Sequence, residues 1–134
     1  MKQKYVYICS PFRPNSITEP ERTEELKANI RLARDACTLA AYRGFIPVAP
    51  HLFFPQFLND DNVQEREMGM SMGIELLKHC SQLWLITPRI SEGMSAEIKE
   101  AQRRGIPVLI FTGHGFEPYI GNGDVTDNCF MDNE

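Results

Sequence analysis

The sequence predicts an α/β fold, a three-layer flavodoxin-like or Rossmann-variant domain with a parallel sheet of about four or five strands. Short apolar segments rich in β-branched and aromatic residues alternate with segments whose apolar residues recur at helical spacing. The connections between them are short, and glycine follows two of the helical segments. Such alternation forms right-handed βαβ units, which cover both faces of a parallel sheet with helices.

The first half of the chain contains two predicted strands and one predicted helix. Strand one is Tyr5–Cys9, and it ends at the loop Ser10–Asn15 because two prolines there stop both strand and helix. An amphipathic helix follows Pro20 and ends at Gly44. Its apolar residues are Leu26, Ile30, Ala33, Cys37, Ala40 and Ala41. Strand two is Phe45–Ala49, whose proline is tolerated at a strand start or on a sheet edge.

The second half repeats this alternation. A helix is predicted over Val63–Cys80, and Leu83–Thr87 is predicted to be a central strand. A last helix ends at Gly105, and Pro107–Phe111 is a further strand. The helical period is carried by Met68, Met72, Leu76, Leu77 and Cys80 in the first of these helices and by Met94, Ile98 and Ala101 in the second.

Two features of the middle of the chain predict contacts between elements. The segment Pro50–Leu58 is unusually aromatic for a connection and is interpreted as a pocket lid or a subunit contact, and Asn59–Asn62 supplies a turn and a helix N-cap. Gly69 and Gly73 lie four residues apart, and small residues at that spacing let another backbone approach closely. The surrounding charges exclude a membrane helix, so these glycines predict close helix packing, including across a dimer.

The chain of 134 residues fits one domain that can bury a core without disulfides or metals. We assign residues 1–113 to this domain and residues 114–134 to an irregular C-terminal tail, because glycines with scattered Asp and Asn replace the periodic pattern. Side chains that can still anchor this tail on a neighbour are Phe116, Tyr119, Ile120 and Phe130.

The charge balance excludes several function classes. With 14 Lys and Arg against 18 Asp and Glu, the chain lacks the positive charge that nucleic-acid binders use, so we expect no nucleic-acid partner. No segment approaches the roughly 20 apolar residues that span a bilayer. The N-terminus reaches a strand too early to hold a signal peptide. We therefore expect a cytoplasmic protein with no membrane partner.

The cysteines predict neither disulfides nor a metal site. Cys9, Cys37, Cys80 and Cys129 have no paired short spacing of the metal-binding type, and three of them lie in predicted core elements. Buried free thiols are the expected state. We expect no metal and no cofactor, since no cluster of ligands is visible in the sequence.

Glu97 is the first candidate for chemistry. It is predicted to lie in the first turn of a helix that follows a strand through the turn Ser91-Glu92-Gly93. An acid there is also explained by its favourable interaction with the helix dipole. However, ligands of open parallel sheets bind outside the carboxyl ends of the strands, where loop amides and helix N-termini meet. A carboxylate in such a place can attack an electrophilic sugar carbon and form a glycosyl ester.

Other polar residues are predicted at the same end of the sheet. Tyr7 faces the side opposite to Val6 and Ile8, either as a core tyrosine with its hydroxyl satisfied or as a group that orients Glu97. His51 either contacts a ligand or caps the end of a strand. The residues assigned to substrate binding are Ser10, Pro11, Arg13, His51, Ser91, Gly93, Met94 and Ser95.

The remaining charged and nucleophilic residues give weaker indications of a functional site. The loop of Arg13 lacks the glycines of a dinucleotide fingerprint or a P-loop, so a phosphate contact by Arg13 stands as one alternative. The segment Glu65-Arg66-Glu67 is interpreted as a solvated helix face. No serine or cysteine pairs with a histidine at the spacing of a hydrolase triad.

Three segments resemble a known family. They are Tyr-Val-Tyr-Ile-Cys-Ser-Pro at the start, Gly-Phe-Ile-Pro-Val-Ala-Pro-His in the middle and Ser-Glu-Gly-Met-Ser-Ala-Glu-Ile near the end. Over roughly Lys4 to Gly113 the chain resembles an uncharacterised bacterial and phage branch related to the nucleoside 2-deoxyribosyltransferases.

The resemblance implies a mechanism. In those transferases a glutamate attacks C1′ of a 2′-deoxynucleoside and releases the base, and a second base or water then takes the sugar. That nucleophile falls on Glu97, and the tyrosine that positions it falls on Tyr7. Related deoxynucleotide N-glycosidases bind a 5′-phosphate through loop serines, which would implicate Ser10 and Ser95.

The chain departs from the family pattern at two positions. The transferases carry an aspartate on the helix before the central strand, proposed to handle the proton of the base, and counting back from the strand places that position at Ile74. Glu75 is adjacent but points about 100° away on an ideal helix. The acid that often precedes the Leu-Trp of the strand is Gln82 here.

Three readings remain open from the sequence. The first is an N-glycosyl enzyme, a deoxyribosyltransferase or N-glycosidase, acting on a 2′-deoxynucleoside or its 5′-monophosphate through a covalent glycosyl-glutamate. The second is a nucleotide-binding module that has lost turnover. The third is a structural or regulatory oligomer, whose interface would contain Phe53, Phe54 and Phe57. Since the family completes its pocket with a neighbouring subunit, the resemblance also implies a homo-oligomer, a dimer or higher.

Overall fold

The computed structural model describes residues 4–126 and contains five strands and four helices within that range. In chain order these are β1 (Lys4–Cys9), α1 (Glu21–Tyr42), β2 (Phe45–Val48), α2 (Pro50–Phe53), α3 (Val63–Leu77), β3 (Gln82–Leu85), α4 (Glu92–Arg103), β4 (Val108–Phe111) and β5 (Phe116–Pro118). A single 3-10 turn, Phe54–Gln56, follows α2.

The strands form one sheet in the order β2-β1-β3-β4-β5, and all but β5 are parallel. This is the strand order of flavodoxin-like folds with an antiparallel last strand, so the predicted α/β class is confirmed. The chain direction across the sheet reverses between β1 and β3, where Tyr7 pairs with Leu83 and Cys9 with Leu85. In open sheets of this kind the crevice for a ligand opens at that reversal, outside the carboxyl ends of the strands.

The helices cover both faces of the sheet and give three layers. Because side chains alternate along a strand, Val6 and Ile8 of β1 pack with the α1 face, beside Trp84. Tyr7 and Cys9 point the other way and pack with residues of α3 and α4. The alternation predicted for Tyr7 is confirmed, and it directs both polar groups of β1 toward the same layer.

Glycines follow two helices as predicted, and polar side chains cap the start of two helices. Gly44 and Gly105 follow α1 and α4 with positive φ values of 86° and 75°, a conformation that favours glycine. The Asn62 side chain accepts from the Glu65 backbone N–H at the start of α3, and Ser91 accepts from that of Met94 at the start of α4.

The segment after β4 is more ordered than expected. Phe116–Pro118 pair with β4 as an edge strand, and the Tyr119 ring packs against the core. Lys99 and Asp124 form an ion pair of 2.8 Å, and Thr126 exchanges hydrogen bonds with the Ile90 backbone. A three-residue strand is too short to show alternation, which explains why sequence periodicity missed it. Phe116 and Tyr119 pack on the core of their own chain and not on a neighbour, Ile120 is exposed, and Phe130 lies outside the described residues.

The cysteines within the described range are free thiols. Cys9 and Cys80 are buried and Cys37 is partly buried, while Cys129 lies outside that range. Between residues 4 and 126 no helix has the length and apolar character needed to cross a bilayer.

Candidate active site

The site is centred on a hydrogen bond between β1 and α4. The hydroxyl of Tyr7 donates to Oε2 of Glu97 over 2.7 Å. Tyr7 has no exposed surface, so it is a core residue whose hydroxyl is satisfied by the carboxylate. The two interpretations of Tyr7 are therefore compatible: it fills the core and it contacts Glu97.

Glu97 lies one turn deeper in its helix than the sequence indicated. The helix begins at Glu92 because Ser91 is its N-cap, so Glu92 is the acid of the first turn and Glu97 belongs to the second. The helix dipole acts mainly on the first turn. Favourable interaction with the dipole therefore explains Glu92 better than it explains Glu97.

Cys9 contacts the second oxygen of the same carboxylate. Its Sγ lies 3.4 Å from Oε1 of Glu97 and 3.9 Å from the Met94 carbonyl oxygen. From the sequence Cys9 was only a core thiol. A signal was present, because residues two apart on a strand share a face, and Tyr7 and Cys9 are two apart.

Burial sets the electrostatics of this cluster. Desolvation raises the pKa of Glu97 to about 7, although the hydrogen bonds from Tyr7 and Cys9 act in the opposite direction. The pKa values of Tyr7 and Cys9 are raised well above their usual values, first by burial and then by the negative charge of Glu97. Near neutral pH the carboxyl group is therefore divided between its protonated and ionised forms, while its two partners keep their protons.

The residue of α3 that faces this pair is Gly73. A Cβ atom there would lie 2.9 Å from the Tyr7 hydroxyl oxygen and 4.0 Å from Oε2 of Glu97. A Cβ at Gly69 would meet Leu58 and Phe54 at 3.6 and 3.9 Å. Both glycines thus face groups of their own chain. Gly73 faces Glu97 of α4, so the predicted close helix packing is found within the chain, while packing across a dimer stays a prediction.

The two α3 residues considered for the aspartate position of the transferases, Ile74 and Glu75, interact with groups other than the Glu97 carboxylate. Ile74 packs into the core, and the exposed Glu75 pairs with Lys78 at 2.9 Å. Gln82 accepts a hydrogen bond from the indole N–H of Trp84. Glu75 therefore does not replace the missing aspartate.

A small pocket of about 80 Å³ opens beside the carboxylate. Its lining comprises Phe12, Pro50, His51, Phe54, Pro55, Leu58, Asp60, Glu65, Arg66, Gly69, Met70, Gly93 and Glu97. The aromatic segment after β2 thus forms a wall of the pocket, as its interpretation as a lid requires. Glu65 and Arg66, predicted to lie on a solvated helix face, are half-buried at this wall, while Glu67 is exposed as expected.

His51 is uncharged in this pocket at neutral pH. Burial lowers its pKa to about 4, against the opposing effects of Asp60 and of a hydrogen bond with the Ser10 backbone. Its ring stacks on Phe12 with centroids 5.3 Å apart. The pair gives the pocket a flat wall.

Ser10 follows Cys9 at the carboxyl end of β1. Its side chain is almost fully buried, and its Oγ has no hydrogen-bond partner among the described residues. Buried hydroxyl groups are generally hydrogen-bonded, so the Ser10 hydroxyl is able to bind a polar group of a ligand or a water. Ser95 is also buried, on the first turn of α4, and Met94 is a core residue.

Arg13 is engaged elsewhere. Its guanidinium contacts the Asp60 carboxylate at 2.6 Å, the Asp60 carbonyl oxygen at 2.9 Å and Asp61 at 3.5 Å. It lines a neighbouring open groove and not the pocket of Glu97. Pro11 lies half-buried in the same loop. Within residues 4–126, no group of three or more His, Cys, Asp and Glu side chains is arranged to hold a metal.

Comparison with known proteins relates this arrangement to one fold and one family. The fold is similar to that of a 2-deoxyribosyltransferase from the psychrotolerant bacterium Bacillus psychrosaccharolyticus, with a TM-score of 0.51 and 16% identity. The alignment covers 96% of this chain and 80% of that one. No curated protein matches the sequence. Residues 4–111, which include both Tyr7 and Glu97, match a domain of unknown function, and the chain therefore belongs to the DUF7768 family.

Proposed function

We propose that this protein is an N-glycosyl enzyme, a deoxyribosyltransferase or N-glycosidase. Its substrate is a 2′-deoxynucleoside or the 5′-monophosphate of one, and Glu97 is the nucleophile. We further propose that its family is a branch of the nucleoside 2-deoxyribosyltransferase superfamily. The observation that carries the proposal is the half-buried Glu97 carboxylate, held by Tyr7 at 2.7 Å beside a pocket at the β1/β3 reversal. The similar fold of a 2-deoxyribosyltransferase supports the same chemistry.

The reaction proceeds in two displacements. The ionised carboxylate forms a bond to C1′ while the C1′–N bond breaks, and the electron pair of that bond leaves with the base. Water or a second base then attacks C1′, breaks the ester and restores the carboxylate. Tyr7 holds Oε2 in both states, which fixes the orientation of the carboxylate toward the sugar.

The departing base takes up a proton, and the donor differs from that of the transferases. At the α3 position facing the nucleophile, Gly73 has no side chain to supply one. Asp60 and Glu65 are carboxyl groups of the pocket wall, and the pocket is open to solvent water. Because the Asp60 carboxylate is paired with Arg13, we assign the proton to water entering the pocket or to Glu65.

The 5′ end of the ligand belongs near Ser10 and the start of α4. The buried Ser10 Oγ has no partner among residues 4–126, so it is available to a polar group of the ligand. The N-terminus of α4 attracts negative charge. A 5′-hydroxyl or phosphate suits this place, with Ser91, Gly93 and Ser95 on the first turns and Pro11 and Met94 supporting the loop and the helix. Arg13 reaches a phosphate only after releasing Asp60, so we give it no direct contact in this state.

The pocket needs a second subunit to reach substrate size. Its volume of about 80 Å³ is well below the roughly 300–1,000 Å³ of small-molecule sites. Met70 lines the pocket and belongs to a set of large apolar side chains that are exposed along the segment from α2 to α3: Phe53, Phe57, Met68, Met70, Met72 and Leu76. Contiguous exposed apolar residues mark interaction surfaces. We propose a homo-oligomer, at least a dimer, that covers this surface and closes the pocket.

A nucleotide-binding module without turnover is the second candidate. It is favoured by the α3 helix, which presents Gly73 to the carboxylate while Ile74 packs into the core. General acid catalysis commonly contributes 10²–10⁴-fold, so a chain without that acid can bind and fail to turn over. The free thiols fit a reducing compartment under either candidate, and we keep the cytoplasm as the proposed location.

One assay separates the two candidates. Purified protein is incubated with deoxynucleosides, ribonucleosides and their 5′-monophosphates, with and without free bases, and released or exchanged base is followed by chromatography. An enzyme gives product that disappears in Glu97→Gln, while ligand affinity persists. A binding module gives no product at high protein concentration, yet the same ligands raise its melting temperature.

A further inference from the structure

We propose that Cys9 is a positioning residue for Glu97: its thiol holds Oε1 while Tyr7 holds Oε2, so that the carboxylate presents Oε1 to the sugar. The direction of attack rests on the proposed function, whereas the hydrogen-bonding role of Cys9 does not. The distances that carry the inference are 3.4 Å from the Cys9 Sγ to Oε1 and 2.7 Å from the Tyr7 hydroxyl to Oε2.

The two donors differ in strength, and that difference assigns the attacking atom. A phenol hydroxyl is a strong donor and a thiol is a weak one. Oε2, which accepts the strong hydrogen bond from Tyr7, therefore has less electron density available for attack than Oε1, which accepts the weak one from Cys9. Oε1 is the better nucleophile of the two, and its weak bond to the thiol is lost at little cost when it attacks.

The same arrangement suits the covalent intermediate. When Oε1 bonds to C1′, the C1′–N bond breaks and its electron pair leaves with the base, which is protonated by water or an acid of the pocket wall. Oε2 becomes the carbonyl oxygen of the ester and still accepts from Tyr7. Cys9 keeps its proton throughout, so no covalent bond changes at sulfur.

Among the described residues, the groups that face the carboxylate come from β1 and α3, and further polar groups line the pocket beside it. From β1 it meets Tyr7 and Cys9, and from α3 it meets Gly73, which carries no charge. His51, Asp60, Glu65 and Arg66 line the same pocket. Cys9 has no exposed surface and also lies 3.9 Å from the Met94 carbonyl oxygen. Its thiol is thus confined between two acceptors of α4.

The test compares two variants that act in opposite directions. The carboxyl carbon of Glu97 is labelled with ¹³C-glutamate, its NMR signal is identified by its loss in Glu97→Gln, and it is titrated without substrate. Cys9→Ala removes the donor and should raise the pKa of Glu97. Cys9→Ser supplies a stronger donor at nearly the same volume and should lower that pKa. Cys80→Ala, a buried thiol that donates to the Leu76 carbonyl, is the matched control and should leave it in place.

A second measurement uses the unchanged Cys9. The S–H stretching band of Cys9, identified by its loss in Cys9→Ser, should move toward the position of a free thiol in Glu97→Gln, because the charged acceptor is gone. Where turnover is measurable, Cys9→Ala should lower kcat/KM about 3- to 10-fold. The midpoint of its kcat/KM profile should move to higher pH, and that of Cys9→Ser should move to lower pH.

The titration and the band need no substrate, so they stand even if the protein proves to be a binding module. A pKa of Glu97 that rises in Cys9→Ala and falls in Cys9→Ser supports the proposal. Movement in the same direction, or no movement with an unchanged S–H band in Glu97→Gln, overturns it and leaves Cys9 a packing residue.

Discussion

The hydroxyl of Tyr7 donates to Oε2 of Glu97 across 2.7 Å, although 90 residues separate them in the chain. One belongs to the strand at the centre of the reversal and the other to the helix that follows its neighbour β3. The fold thus brings a strong donor to a half-buried carboxylate at the place where open sheets bind ligands.

Removing the carboxylate charge should abolish turnover without abolishing binding. Glu97→Gln keeps the volume and loses the nucleophile, so base release should fall by about 10³-fold or more, since covalent catalysis has no substitute there. Chromatography of released base measures turnover, and calorimetry measures affinity. Glu92→Gln, an exposed acid of the same helix, is the control and should retain both. Equal losses in the two variants would argue against a specific role for Glu97.

Turnover should rise with pH through about 7, because the nucleophile is the ionised form of Glu97 and burial raises its pKa to that value. Tyr7→Phe removes a hydrogen bond that favours the ionised form, so the rising limb of kcat/KM should move to higher pH. The plateau should also fall, by about 10-fold. If the midpoint of the profile is unchanged in Tyr7→Phe, the ionisation that controls turnover is not that of Glu97.

Glu97 should also make the fold less stable as pH rises. Its folded-state pKa, about 7, lies above the ordinary value of 4.5, so the unfolded chain loses its proton first and stability falls between these two pH values. The full effect is about 3 kcal/mol. Relative to the wild type, Glu97→Gln should therefore gain stability from pH 4 to pH 8 in urea unfolding. A difference independent of pH would show that Glu97 is not buried as described.

Gly73→Ala should disturb the site where Gly69→Ala does not. The new Cβ would lie 2.9 Å from the Tyr7 hydroxyl oxygen in the first case, and 3.6 Å from its nearest neighbour in the second. We expect at least about 10-fold lower turnover in Gly73→Ala. Gly69→Ala should be neutral or more stable by about 0.5–1 kcal/mol, since alanine favours a helix. Turnover and thermal unfolding measured on both variants check this, and equal behaviour would contradict the contact with Tyr7.

Sedimentation should show a dimer or larger species whose formation depends on the exposed apolar surface. Phe57→Glu places a charge there, at a ring that is 56% exposed in the single chain, and should yield monomers with reduced turnover. Tyr42→Glu is the control, because Tyr42 is 88% exposed at the far end of α1. A wild-type monomer with full activity would rule out a pocket shared between subunits.

The sequence predicted the layered fold because alternation and helical spacing are local signals. The same alternation oriented Tyr7, and the strand-turn-helix pattern located Glu97 to within one turn. The contact of Cys9 with Glu97 and the approach of Gly73 to Tyr7 depend on how α3 and α4 pack on the sheet, which no local pattern encodes. The edge strand Phe116–Pro118 is too short to show alternation, and its pairing with β4 is likewise a contact between elements that no local pattern encodes.

The most direct test of the account is intact-mass spectrometry of the protein quenched in acid during incubation with a deoxynucleoside or deoxynucleotide that it cleaves. The account predicts a mass increase of one deoxyribosyl group, or of its 5′-phosphate, located by peptide mapping to Glu97 and absent from Glu97→Gln. Base release without any such adduct, or an adduct on another residue, would contradict Glu97 as the nucleophile.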